Sequence, residues 1–162
     1  MNYLPKKQKG FGLIEILIVG SVIGIGFVGL VAFLVNSSGT TFKITRNTEA
    51  VSLAKEGMEA VRNMRDESWN LNIKDLTTST TYYPVISGNK WTLTSTDPGL
   101  VNGLYTRTVL IDSVDRDGNA NIVPSGTLDD NTKRITVTVT WKENQKTEDV
   151  TIETYITNFL DN

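Results

Sequence analysis

Glu15 is the side chain whose position most demands a chemical explanation. It stands in KKQKGFGLIEILIVG, residues 6–20, and from Phe11 to Val35 every residue is apolar or small except Glu15 and Ser21. An ionised carboxylate in a lipid-facing helix costs ~2.5–3.5 kcal/mol on insertion scales and calls for a partner. Cutting the chain between Gly10 and Phe11 would create one. The new α-amino group would lie four residues before Glu15, on the same helical face and about 6 Å along the axis.

A second set of side chains, in DRDGNAN at 115–121, could hold a cation. Asp115, Asp117 and Asn119 occupy the first three liganding positions of a calcium loop. The pattern then fails: Ala120 stands where the sharp turn needs glycine, and Gly126 where the bidentate glutamate belongs. A solvated turn with an Asp–Gly corner is the default reading, which leaves the three residues as a weak metal candidate beside an expectation of no metal.

The rest of the composition removes chemistry. With no cysteine and no histidine, the chain lacks thiol nucleophiles, disulfides and the commonest general base and metal ligand. Neither a G-x-S-x-G elbow nor a phosphate loop is present. No catalytic residue, no enzyme activity and no cofactor is expected, and an exported hydrolase would need an organised acidic or serine site that the pattern lacks. The formal net charge is −2, and a chain without Lys6, Lys7 and Lys9 would carry −5. Such a body is not expected to bind nucleic acid directly.

The elements that must position Glu15 follow from hydropathy and charge. A helix over residues 11–35 would span about 37 Å, enough to cross a bilayer core of ~30 Å with some tilt. Three lysines precede the run, whereas Asn36–Phe42 carries no charge, so the amino terminus is expected in the cytoplasm and the body on the far side. A secretory signal peptide ending near Ser37, Ser38 and Gly39 is the competing reading, but its apolar core would be only ~7–15 residues. A plain single-pass anchor is another, and neither accounts for Glu15.

Basic residues, then Gly10, Phe11 and the run GLIEILIV, with glutamate as the fifth residue after Gly10, resemble the class III signal of type IV prepilins and pseudopilins. The resemblance implies cleavage after Gly10 by a membrane-embedded prepilin peptidase and methylation of the new terminus. Phe11 becomes N-methylphenylalanine, and Glu15 is the assembly glutamate. The apolar helix then serves as anchor and later as filament core. Methylation leaves the amine basic, so Glu15 of one subunit can pair with the Phe11 amine of a neighbour. Such an offset contact does not close on itself and repeats into a helical filament. The implied partners are the prepilin peptidase, other pilin or pseudopilin subunits, the inner-membrane assembly platform with its ATPase, and the lipid bilayer. Gly20 and Gly24 form a small-xxx-small pair, with Gly26 and Gly29 nearby. Many family members carry a proline in mid-helix; this sequence has none, so any local melting would have to come from the glycines.

Beyond the apolar run, Ala50, Leu53, Ala54, Gly57, Met58, Val61 and Met64 recur at helical spacing. Lys55 with Glu59 and Arg62 with Asp66 are placed for i,i+4 pairs. NSSGTT at 36–41 contains helix breakers and cappers, read as a kink rather than an end. LAKEGMEAVRNMRDESWN at 53–70 resembles the segment that continues the long pilin helix into the body.

The remainder alternates as strands. KRITVTVTW (133–141) and DVTIETYIT (149–157), joined by polar residues, predict an antiparallel hairpin at the centre of a sheet. YTRTVLI (105–111) is β-rich, and PVI with KWTLT (90–94) predicts a second hairpin, with Pro84 marking an edge position. The fold class is α+β: a long amino-terminal helix packed on a carboxy-terminal antiparallel sheet. The expected organisation is a leader at 1–10, a membrane-spanning and filament-core helix at 11–35, an amphipathic helix at 36–68 and an exported β-domain at 69–162. The expected function is a structural filament subunit, a minor pilin or pseudopilin of a type IV pilus, type II secretion or competence system, held in the cytoplasmic membrane. The alternative is a membrane-anchored extracytoplasmic binding module that never polymerises.

Overall fold

A computed structural model describes residues 12–160; of Gly39 only the backbone is described. Helix α1, Leu13–Glu67, runs for 55 residues and passes through 36–41 without interruption. The hydroxyls there turn back onto their own helix: Ser38, Thr40, Thr41 and Thr45 donate to carbonyls four residues earlier, at 2.9, 3.2, 3.0 and 3.0 Å. Groups that elsewhere compete with helical hydrogen bonding are satisfied within it. The chain divides after Thr45 into two compact units.

In the second unit the helical stripe forms one wall of the core. Ala50, Leu53, Ala54, Met58, Val61 and Met64 are buried together. Ser68 then caps α2, Trp69–Asn72, its hydroxyl accepting from the Leu71 amide. This second short turn delivers Trp69 to the core. Expected helical pairs are rearranged: the partner seen for Glu59 is Arg62, at 2.6 Å and three residues away, rather than Lys55. Arg65 takes Asp66 at 2.7 Å.

The sheet contains β1 (Thr81–Ser87), β2 (Lys90–Thr94), β3 (Thr106–Arg116), β4 (Ile122–Val123), β5 (Thr127–Glu143) and β6 (Lys146–Thr157). Its order is β2-β1-β3-β5-β6, with β4 on β3, and every pairing is antiparallel. The β5–β6 hairpin forms as the alternation predicts, but it is not the centre of the sheet. The central pair is β3–β5, because β3 pairs along its whole length, Thr106 to Arg116, and β6 lies at an edge. The connection shrinks to Asn144 and Gln145, both at positive φ (47° and 69°), the conformation that matches hairpin twist.

Pro84 sits where one side of β1 is open, although the strand as a whole lies between β2 and β3. Its tolerance has a local cause. Pairing of β1 to β3 stops at Tyr82, and counting from the closing Ser87–Lys90 pair, Pro84 faces Leu93 at a non-hydrogen-bonded position. The missing amide therefore removes no ladder bond.

Inward residues Val109, Ile111, Ile135, Val137, Val139, Trp141 and Ile156 complete the core. At Gly57 helix and sheet approach closely: a Cβ there would sit 3.0 Å from Val137 Cγ1 and 3.1 Å from Arg107 Cδ. The absent side chain lets the buried Arg107 pass beneath the helix. Its Nη1 reaches Glu56 Oε2 at 3.0 Å and the Leu53 carbonyl at 3.3 Å.

Candidate functional site

Gly10 and Phe11 lie outside the described residues. Glu15 stands in the first turn of α1, its amide donating to the Gly12 carbonyl at 2.9 Å. A carboxylate suits this end of a helix, where unpaired amides concentrate positive potential. Among the described residues nothing hydrogen-bonds or pairs with that carboxylate. Ser21, the other polar residue of the run, spends its hydroxyl on the Leu17 carbonyl at 2.7 Å. Glu15 is thus the polar group of this segment left to be satisfied from outside.

Around it, the large apolar side chains from Leu13 to Val35 are all exposed, from 44% at Val31 to 79% at Leu13. Soluble surfaces do not carry contiguous apolar area on this scale without a function for it. The helix is long and apolar enough to cross a membrane, and lipid or other apolar helices are the environments that remove the cost. A Cβ on Gly20, Gly24, Gly26 or Gly29 would meet nothing within 4 Å. Their smallness serves no contact among the described residues.

The loop at 115–121 turns its side chains to a different use. Asp117 Oδ1 accepts from the amides of Asn119 (2.9 Å) and Asn121 (2.8 Å), and Oδ2 from Asn121 Nδ2 at 3.0 Å. These bonds, the Asn121 side chain first, hold its carboxyl below the usual carboxylate range. Asp115 instead accepts from the Gly126 amide at 3.2 Å. The carboxylates of Asp115 and Asp117 are therefore drawn to separate partners, while Ala120 adopts φ 64°. At Gly126 a Cβ would lie 2.4 Å from the Arg116 carbonyl oxygen, so no side chain fits where a calcium loop needs its glutamate. Among the described residues no group of three or more acidic side chains could hold a metal ion.

One cluster has no local signature in the sequence. The buried Tyr105 donates to Glu49 Oε2 at 2.9 Å, with the Arg46 carbonyl oxygen 3.2 Å away. Asn102 Nδ2 reaches Glu49 Oε1 at 2.9 Å, and Arg46 lies 3.6 Å from Glu143. The period-two burial of β3 would have flagged Tyr105 as an inward tyrosine needing a polar partner. Nothing nearby in the chain names that partner. The cluster fastens the helix to the sheet and offers no nucleophile.

No curated protein and no solved structure matches the chain. The amino terminus does match a family model, described as the prokaryotic N-terminal methylation motif, over residues 5–31. With a glutamate that has no partner among the described residues at the head of an exposed apolar helix, the chain carries the prepilin-type signal of type IV pilins and pseudopilins.

Proposed function

We propose that this chain is a structural subunit, a minor pilin or pseudopilin, of a type IV pilus, type II secretion or competence filament. The observation that carries the reading is the methylation motif at 5–31, within which Glu15 heads an exposed apolar helix. In this reading residues 1–10 are a leader removed by prepilin peptidase after Gly10, and Phe11 becomes the methylated terminus. Residues 11–35 span the cytoplasmic membrane, 36–68 continue as helix and 69–162 form the exported domain.

Assembly then has a physical cause. The Glu15 carboxylate and the Phe11 amine of a neighbouring subunit each lose less by meeting than by facing lipid alone. The pair sets an axial offset, and the open-ended contact propagates. Neighbouring subunits and an inner-membrane assembly platform supply everything else, and the chain performs no chemistry of its own. Mass spectrometry of the mature amino terminus tests the reading. N-methylated Phe11 is the expected result; an intact Met1, as a non-polymerising anchored module would retain, overturns it.

A further inference from the structure

At the end of β5 away from Glu143, the outer face of the sheet carries a cross-strand row, Asp112–Arg134–Tyr155, aligned in register across β3, β5 and β6. Just beyond it the ladder breaks. Ser113 pairs with Lys133 but Val114 with Asp129, so three residues of β5 bulge out and the strand bends. β4 folds back onto Asp115 and Arg116. Between these elements lies a cavity of about 380 Å³, lined by Ser113, Asp115, Val123, Pro124, Arg134 and Tyr155 among others. That volume is within the range of small-molecule sites, ~300–1,000 Å³.

The lining selects a ligand class. Arg134 Nη2 is bound to Asp112 Oδ2 at 2.9 Å, which leaves Asp115 as the charged group of the wall without an ion pair among the described residues. One guanidinium against two carboxylates does not recruit a phosphate, and among the described residues no group of three acidic side chains gathers here to hold a metal ion. What remains are hydroxyl-bonding groups: the Ser113 and Tyr155 hydroxyls and Asp115 Oδ1, none bonded to another protein group among the described residues. Beside them Tyr155 is 44% exposed, and Val123 and Pro124 give an apolar patch. Hydroxyl-bonding groups around an exposed aromatic face match a ligand with a polar rim and an apolar C–H face.

We propose that this cavity binds a neutral pyranose sugar, one ring face on Tyr155 and its hydroxyls on Ser113, Asp115 and the Arg134–Asp112 pair. The site is independent of filament assembly and stands or falls separately from it.

Saturation-transfer NMR on the full chain in lipid nanodiscs, free of sugar-based detergent, tests the site. The probes are methyl α-D-glucopyranoside, methyl β-D-galactopyranoside, methyl α-D-mannopyranoside and dextran, with inorganic phosphate and N-acetylneuraminic acid as anions. Transfer to the ring C–H protons of at least one neutral glycoside is expected, about tenfold weaker binding in Tyr155→Ala, and retention in Tyr155→Phe. Should Tyr155→Ala fail to fold, Ser113→Trp, at an exposed position, fills the cavity and should abolish transfer. Transfer to dextran as well as the glucoside would assign an internal polysaccharide residue, and to the glucoside alone a free sugar; both support the site. No transfer from any neutral probe, binding of the anions only, or transfer undiminished in the folded Tyr155→Ala or Ser113→Trp variant overturns it.

Discussion

The Tyr105 hydroxyl donates to Glu49 Oε2 at 2.9 Å, across a sequence separation of 56 residues. Burial, reinforced by this bond, pushes the phenol up from 10.0 to about 12. The folded state holds the proton more tightly than the unfolded one, so the contribution is complete below pH 10 and fades as pH rises toward 12. Its size is about 2–3 kcal/mol. Denaturation of the full chain in nanodiscs, followed by near-UV circular dichroism at pH 9 and 11, should show about half of this loss, and Tyr105→Phe should flatten it.

Asp129 gives the opposite slope. Arg116 Nε lies 2.6 Å from its Oδ2, and that hydrogen bond holds the carboxyl below its ordinary value of 3.8. A depressed carboxylate stabilises the fold above the ordinary value, and the stabilisation is lost as pH falls below it. Asp129→Asn should cost about 1 kcal/mol at pH 7 and weaken the dependence below pH 4, measured by urea titration at both pH values.

Gly57 separates two effects of added volume. Alanine gains ~1 kcal/mol of helix propensity but presses on Val137 and Arg107 at 3.0–3.1 Å, so Gly57→Ala should be near neutral. Gly57→Val adds methyl groups to the same contact without Ala's propensity advantage, and should destabilise by ~1–3 kcal/mol. Equal melting temperatures for Val and wild type would contradict the packing described for Arg107.

For the amino terminus, Glu15→Ala should still insert and be processed but enter filaments poorly. A bulky replacement of Gly10, such as Gly10→Phe, should block cleavage. The mature terminus by mass spectrometry and the subunit content of sheared filaments report the two steps separately, and normal incorporation of Glu15→Ala would refute the charge-pair mechanism.

What could be read from the sequence was what repeats over short distances. The stripe from Ala50 to Met64 and the alternation in RITVTVTW each report a local period against one buried face. Strand order was not legible, because the choice of β3 as partner for β5 depends on residues some thirty positions apart. Helix continues through 36–41 for a local reason: serine and threonine have two outlets for their hydroxyls, and here they bond back to the helix. At 115–121 the residue types were right for a cation, but Asp117 is committed to backbone amides. Glu15 was legible since an acid among apolar residues is conspicuous without any fold. The Tyr155 cavity was not, for its walls come from four separate strands and loops.

Among the described residues, the hydrophobic core recruits no side chain earlier than Ala50. The anchor and the body therefore answer to different solvents, and a substitution in one need not be compensated in the other. Evolution could exchange the β-rich module, or redecorate its surface, while leaving the apolar sequence to be judged only by its fit to hydrocarbon.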